Sequence, residues 1–569
     1  MDVTPIIDPL NDAQRDAVTA EPGHALILAG AGSGKTRVLV HRIAWLLATG
    51  QAMPYGVLAV TFTNKAAAEM RGRIESMLGH SVGGMWVGTF HGLAHRMLRA
   101  HWRDAGLAEG FQIIDSEDQL RLIRRIMREM ELDDGRWPPK QAQWFINARK
   151  EEGLRAAHID DVDDMWVRTM VPVYKAYEDA CETGGLVDFA ELLLRSHELL
   201  REREDLAQHY RERFRFILVD EFQDTNAIQY AWIQLLAGEQ AWVFTVGDDD
   251  QSIYSWRGAR IENIQQFPKD FPGVVTHRLE QNYRSTGNIL AVANKLIANN
   301  FGRLGKNLWT EDSGGDPIYI YSAYNDVDEA RYVVARVESW VAGGGRRDET
   351  AILYRVSAQS RVFEESLLSA GMPYRVHGGF RFYERAEIKD ALGYLRLTRN
   401  IHDDAAFERV VNTPTRGIGT KTLDTVRARA REGGLSLWGA SQALIVESAL
   451  GSRAANALGG FQSLVAKLSD IDPELYLEER VAQVVEGSGL IEHFKKDKGE
   501  RGEARIENLE ELVTAARQFQ NRIDAESEEA KDPLLAFLSH TALEAGEQQA
   551  DEHQDSVGEK REQRVLSLF

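Results

Sequence analysis

The chain has 569 residues, 43% hydrophobic and 27% charged, and its 87 acids against 67 bases leave a net charge of −20. At about 150 residues per domain this length accommodates roughly four domains, and the composition excludes a wholly disordered chain. The acidic balance excludes a surface coated in basic charge, so any nucleic-acid site has to be a local groove. A single cysteine, Cys181, excludes an intrachain disulfide and fits a reducing compartment. No apolar run approaches the ~18 residues of a membrane span. The opening MDVTPIIDPL lacks the basic start and apolar stretch of a signal peptide, so a cytoplasmic location is expected.

Short apolar segments that close on polar or glycine-rich turns predict buried strands. They are Ala25–Ala29, Val57–Thr61, Met85–Thr89, Phe216–Asp220, Trp242–Gly247 and Val274–Leu279. Helical spacing lies between them, as in Leu39, Ile43, Leu46 and Leu47 after Gly34. Alternation of this kind predicts a parallel α/β sheet covered on both faces. From about His91 to Arg213 strand signals are absent, and runs such as Glu117–Met130 and Phe189–Leu200 are helix formers, which predicts an inserted helical subdomain. Strands at Ile318–Ser322, after a glycine-rich turn near Asp312–Pro317, and at Thr350–Tyr354 would open a second α/β domain. From about Phe380 to Gln549 the pattern is helical again, broken by an acidic linker at Asp524–Asp532.

Ala29-Gly-Ala-Gly-Ser-Gly-Lys-Thr36 follows a predicted strand and opens a predicted helix. Such a loop aims backbone N–H groups and the positive end of a helix at phosphate oxygens. Lys35 would reach the β- and γ-phosphates, and the Thr36 hydroxyl would hold Mg²⁺. Ala29 stands where glycine is commonest, a mild departure. The strand ending Phe216-Ile-Leu-Val-Asp220-Glu221 supplies acids. The first can bind the metal and the second can deprotonate an attacking water. Read alone, the pair could equally cap a following helix. Beside the phosphate loop, the ATPase reading is the stronger.

Five further strings accompany these. Asp220-Glu-Phe-Gln-Asp-Thr-Asn226, Val246-Gly-Asp-Asp-Asp-Gln-Ser-Ile-Tyr254, Leu279-Glu-Gln-Asn-Tyr-Arg-Ser285, Thr61-Phe-Thr-Asn-Lys-Ala66 and Val87-Gly-Thr-Phe-His-Gly92 occur in one order. Together they resemble the motifs of superfamily 1 DNA helicases of the UvrD, PcrA and Rep type, from the N-terminus to about Val557. The resemblance implies a RecA-like P-loop motor domain at 1–90 and 214–280 with a helical insertion at 91–213. It also implies part of a second RecA-like domain at 281–378 carrying a helical insertion at 379–550, then a short tail at 551–569. The implied activity is an ATP-dependent 3′–5′ DNA helicase of repair and replication, acting on single strands and single/double-strand junctions with ATP and Mg²⁺. Repair proteins would be partners by analogy.

Residue roles follow by the same resemblance. Gln14 would read adenine, its amide donating and accepting together. Arg37 and Tyr283 would flank the adenine ring. The loop from Ala29 through Gly30, Ala31, Gly32, Ser33 and Gly34 to Lys35, Thr36 and Arg37 would hold the nucleotide. Thr36 and Asp220 would hold the metal. Lys35, Asp220, Glu221, Gln251 and Arg284 would be catalytic, Gln251 sensing the γ-phosphate and Arg284 stabilising charge on the transferring group. Thr61, Phe62, Asn64, Thr89, Phe90, His91, Tyr254, Trp256 and Arg257 would face DNA. Tyr254 and Trp256 would stack on bases whatever their sequence. His91 and His95 sit one helical turn apart, but Gly92 replaces the glutamate a zinc site would need, so His95 is read as structural. Gly417, Gly419 and Lys421, in Thr415-Arg-Gly-Ile-Gly-Thr-Lys-Thr422, would meet duplex phosphate, although a plain helix–helix turn fits these residues as well.

Family members continue with Ser-Ala-Lys-Gly and Val-Thr-Arg-Ala motifs, and neither string occurs here. The expectation is that the second α/β domain lacks later sheet neighbours for its strands. A rival reading is therefore a truncated remnant that binds ATP and DNA without unwinding. A nucleotide kinase would leave Tyr254 and Trp256 without a purpose.

Overall fold

The computed structural model describes residues 2–159, 164–255, 258–355, 359–376, 382–496, 500–521, 532–550 and 566–568. Its centre is a six-stranded, all-parallel sheet. The strands are β1 (Ala25–Ala29), β2 (Val57–Thr61), β3 (Trp86–Thr89), β6 (Phe216–Val219), β7 (Trp242–Gly247) and β8 (Val275–Leu279). They run in the order β3-β2-β6-β7-β1-β8. Each lies within a residue or so of its predicted span. β1, β2 and β6 are buried along their whole length, which is why they read as unbroken apolar runs rather than alternating ones. Asp220 and the phosphate loop stand at the carboxyl ends of β6 and β1, where an open parallel sheet collects ligands.

The helical insertion holds two features that the sequence reading lacked. A short parallel pair, β4 (Gln112–Ile113) and β5 (Leu186–Val187), ties its ends together. Two residues per strand are too few to leave an alternating pattern. The helix Phe90–Ala100 and the helix Phe189–Glu202 pack into the core of the first sheet through Leu93, Met97, Leu192 and Leu193. A separate core, built on Ile123, Ile146, Val173 and Tyr174, lies between Ile114 and Leu186.

A buried ion network fixes the junction of these two cores. Lys150 Nζ lies 2.7 Å from Asp188 and 2.9 Å from Glu191. Tyr177 donates to Asp188 at 2.7 Å, and Arg155 binds both oxygens of Glu191 at 2.7 and 2.8 Å. Asp188 also caps the helix Phe189–Glu202 by accepting from the Glu191 N–H at 2.8 Å.

The second α/β part is smaller than expected. Ile318–Ser322 is not a strand: Ile318, Tyr319, Ile320 and Tyr321 are all exposed, and Ile320 is 93% exposed. The β-branched and aromatic run reads as a strand, but among the described residues no strand pairs with it. Thr350–Tyr354 shrinks to β9 (Ala351–Ile352). This strand does have a sheet neighbour. It joins β10 (Tyr374–Val376) in a three-stranded sheet through β11 (Leu566–Leu568), which lies parallel between them. The expectation of strands without later partners is corrected for β9. Beyond it a helical body, with Tyr394, Phe407 and Phe461 fully buried, forms its own core. Ion pairs from Lys389 to Asp115 (2.8 Å) and from Arg396 to Asp118 (2.6 Å) hold this body to the first insertion. The acidic linker lies mostly outside the described residues; Asp532, at its end, pairs with Arg399 at 2.8 Å.

Lys150→Met leaves the buried Asp188 without its cation, while Glu191 keeps Arg155. The substitution is expected to cost about 3–5 kcal/mol in urea unfolding. A loss below ~1 kcal/mol would show that other cations or water already satisfy Asp188.

Candidate functional site

The turn after β1 needs glycine for reasons visible in its contacts. Gly32 and Gly34 have φ of +69° and +91°, in the left-handed region that disfavours side chains. A Cβ on Gly30 would fall 2.1 Å from the Leu308 side chain, and one on Gly32 would fall 2.6 Å from Asn282. Ala29, by contrast, is the buried last residue of β1, where a methyl group fits. Gly34 then caps the helix Lys35–Ala48, whose first N–H groups point out of the loop.

Lys35 Nζ donates to Glu221 Oε2 at 2.7 Å, and Thr36 Oγ1 donates to Asp220 Oδ2 at 3.2 Å. Glu221 adopts φ +48° and ψ +45°, a left-handed conformation costly for a side-chain-bearing residue. That turn ends β6 abruptly and sets the Glu221 carboxylate against Lys35. Burial, reinforced by the Glu221 charge and opposed by Lys35, pushes Asp220 up to about 7. The same causes push Asp224 up to about 7. Asp224 Oδ1 is buried without a hydrogen-bond partner among the described residues. Three carboxylates thus share one ammonium. A hydroxyl and carboxylate oxygens suit a hard divalent cation, and its charge would supply what the cluster lacks.

The residues expected around the nucleotide base converge on Pro9–Gln14. Arg37 donates to the Pro9 carbonyl at 2.6 Å, and Asn11 Nδ2 donates to the Tyr283 hydroxyl at 2.7 Å. Gln14 is buried, with Nε2 donating to the Ser33 carbonyl at 2.9 Å and Oε1 accepting from the Asn11 N–H at 3.3 Å. Its amide binds helix to loop, and each of its polar atoms already has a protein partner. Arg284 is exposed beside Gly32, and Gln251 donates to Asp248.

A groove of about 760 Å³ opens next to this cluster. Thr61, Phe62, Thr89, Phe90, His91 and Tyr254 line it, and Glu221 and Asp224 form part of the same wall. Phosphate-loop chemistry and groove are therefore contiguous. Phe90 contributes its edge only: it is 2% exposed, packed against Phe62 and Trp232 at 5.8 and 6.3 Å between ring centres. Asn64 begins the helix Asn64–Leu78 and is not in the groove lining. Trp256 and Arg257 lie outside the described residues. His95 makes a structural contact: it is half-buried, accepts from Arg99 at 2.9 Å, and desolvation drives its pKa well below the usual value.

Residues 10–272 match the family model of the UvrD/REP helicase N-terminal domain, and residues 277–447 match that of the UvrD-like helicase C-terminal domain. The chain belongs to the UvrD-like helicase family. Among curated relatives, DNA helicase II of Escherichia coli (strain K12) is 60% identical over 557 residues, covering 98% of this chain and 77% of that protein. DNA helicase II of Haemophilus influenzae is 56% identical, with 98% of this chain and 77% of that protein covered. The ATP-dependent DNA helicase PcrA of Bacillus subtilis is 38% identical, with 99% and 76% covered.

In this UvrD-like chain the turn before the helix Thr420–Gly433 is built to stay open. Asn412 Oδ1 accepts from the Arg416 N–H at 2.8 Å and from the Ile418 N–H at 3.2 Å, and Ile418 is buried. Those anchors leave Gly417, Gly419 and Lys421 exposed at the N-terminal end of that helix, where N–H groups can meet a phosphate. Several groove residues escaped the sequence reading. Trp144, Asn147 and Phe189 come from the insertion, and Arg260 follows the motif that ends at Tyr254. Phe189 stands 5.5 Å from His91 between ring centres. Its one sequence signal was the cap residue Asp188 before it.

Because folded Asp220 holds its proton to about pH 7 while an unfolded aspartate loses it near 3.8, its ionisation subtracts stability as pH rises between these values. In EDTA, Asp220→Asn is therefore expected to stabilise the protein by at least ~1 kcal/mol above pH 8 and to change little near pH 4. Equal melting of the two proteins at pH 8 would contradict the charge excess.

Proposed function

We propose that this chain hydrolyses ATP to move 3′ to 5′ along single-stranded DNA and to part duplex strands at a single/double-strand junction. The observation that carries the reading is the shared wall: Glu221 and Asp224 belong both to the carboxylate cluster at Lys35 and to the groove lined by Phe62, His91 and Tyr254. An event at the phosphate loop has one shell of side chains to cross before it reaches a strand in the groove. The relatives named DNA helicase II and PcrA support it. A remnant that binds without unwinding is not favoured, since the similarity runs through 98% of the chain.

The chain's own residues divide the work. Lys35 exchanges its contact with Glu221 for a phosphate oxygen, which frees the Glu221 carboxylate to take a proton from water. Thr36 and Asp220 would hold the metal ion, which would supply charge neutralisation at the phosphates. Gln251 would sense the γ-phosphate, and Arg284, beside Gly32 of the phosphate loop, would stabilise negative charge on the transferring group. Arg37 and Tyr283 enclose the base. In the groove, Tyr254 and Trp256 stack on successive bases, and His91 and Thr89 meet backbone. Gly417, Gly419 and Lys421 hold the duplex ahead. Partners would be single-stranded DNA, junctions and repair proteins, in the cytoplasm; among the described residues no helix is long and apolar enough to cross a membrane.

Lys35→Ala is expected to weaken ATP binding and abolish turnover, whereas Glu221→Gln keeps binding and loses turnover. Parent-like ATP turnover by both variants would overturn the assignment. Trp256→Ala is expected to weaken oligonucleotide binding by about 1–3 kcal/mol irrespective of base sequence. A strong sequence dependence measured by fluorescence anisotropy would refute stacking. Unwinding of a duplex with a 3′ tail, and not of one with a 5′ tail, tests the polarity.

A further inference from the structure

Three consecutive carboxylates, Asp248, Asp249 and Asp250, close β7, and their oxygens lie within 4.8 Å of one another. Such a cluster repels itself unless a cation enters it. The cation is Lys306. Its Nζ lies 2.6 Å from Asp248 and 3.0 Å from Asp250 and also bonds Asp249, and the Lys306 side chain is 3% exposed. Arg303 grips Asp250 through Nε and Nη2, both at 2.6 Å, and the Leu304 N–H donates to Asp249 Oδ2 at 2.8 Å. Residues 303–306 are thus fastened to the end of β7 by both side chains and backbone.

The fastening continues in both directions. Asp248 accepts from Gln251, and its own N–H donates to Gln223 Oε1 at 2.9 Å. Gln223 Nε2 donates to Glu221 at 2.8 Å, and Glu221 holds Lys35. An unbroken chain of hydrogen bonds therefore runs from Lys306 to the phosphate loop. On the other side, the Leu308 side chain covers Gly30, and Leu308 exchanges two hydrogen bonds with Asn294 at 2.8 and 3.2 Å. Asn294 lies in the helix Gly287–Ile297, which begins just after Arg284.

We propose that Lys306 is a positioning residue that fixes Asp248, and through it Gln251, so that nucleotide state and DNA occupancy are felt together. The proposal rests on the ATP-driven reading above. It assigns no contact of Lys306 with nucleotide. By neutralising the triad, Lys306 lets Asp248 keep one oxygen for Gln251. Tyr254, three residues on, carries the orientation into the groove. The segment 303–308 at the same time ties the Arg284 side of the nucleotide site to the Gln251 side.

The test compares the full chain with Lys306→Met, Lys306→Arg, Gln251→Ala and the Lys306→Met/Gln251→Ala pair. Two readouts are taken: DNA stimulation of ATP turnover, and the ratio of oligo-dT affinities with and without ATPγS. Lys306→Met should cut DNA-stimulated kcat roughly 10- to 100-fold with KM for ATP changed little, and should bring the affinity ratio towards one. Lys306→Arg should restore part of both effects, and the paired variant should be no worse than Gln251→Ala alone. A merely structural Lys306 would instead lower melting temperature and scale basal and stimulated rates alike, which would overturn the proposal. A parent chain that fails to bind ATP or DNA would overturn the ATP-driven reading itself. A parent that binds both with an affinity ratio of one would overturn the Lys306 proposal alone.

Discussion

The contact on which the site depends is the one between Lys35 and Glu221. Asp220, Glu221 and Asp224 come together because β6 ends in a left-handed residue and turns back on itself. Their mutual repulsion is tolerable only because Lys35 is among them. Without a metal or phosphate the ammonium is shared between structure and chemistry. The same residue that would bind a γ-phosphate keeps the acids from expelling one another. A nucleotide phosphate would compete with Glu221 for Lys35, and a cation held by Thr36 and Asp220 would then supply the positive charge that the carboxylates need.

The groove depends on a second buried charge network, placed on the opposite side. Lys150, Asp188, Glu191 and Arg155 lie where the insertion's own core meets the core under the first sheet. Their arrangement sets the start of the helix Phe189–Glu202 and hence the ring of Phe189 opposite His91. The insertion is therefore not a loose appendage. It supplies one wall of the groove proposed for DNA, and its placement relies on ions that are almost inaccessible to salt. A net charge of −20 is compatible with that proposal, because local geometry, not overall charge, would present a strand with aromatic rings and N–H groups.

The second α/β part shows the opposite condition. Its core is small, with Val334, Val337, Phe363 and Leu367 at its centre, and large apolar side chains such as Tyr319, Ile320 and Leu353 remain exposed. What order it has near the nucleotide comes from its attachment to the first sheet. Asn282 donates to the Ala31 carbonyl at 2.6 Å, the Tyr283 N–H donates to the Gly32 carbonyl at 3.0 Å, and Lys306 sits in the aspartate triad. Coupling between the two parts thus rests on polar contacts at the ligand site more than on shared apolar burial.

Most of the first domain was legible in the sequence. Five of the six strands of its sheet are short apolar runs, bounded by turn residues and buried for most of their length, a mark that parallel strands leave without help from partners; β8, at the sheet edge, is mostly exposed and carries Thr276, His277 and Arg278. The phosphate loop and the acids of β6 were equally plain, because glycine with positive φ and paired carboxylates have few other uses together. Tertiary structure alone decided the rest. Whether Ile318–Ser322 pairs depends on a neighbour that local composition cannot supply, and among the described residues it has no strand partner. Leu566–Leu568 does pair, although three residues carry no pattern, because β9 and β10 present complementary edges. Phe90, expected to face DNA, reaches the groove only by its edge, since Phe62 and Trp232 pack against it. Nothing beside Lys150 or Lys306 in the sequence marks them, and both are buried cations. A lysine's role is set by which carboxylates the fold brings within 3 Å of it, and that distance is a property of the packed chain, not of the residues beside it in sequence.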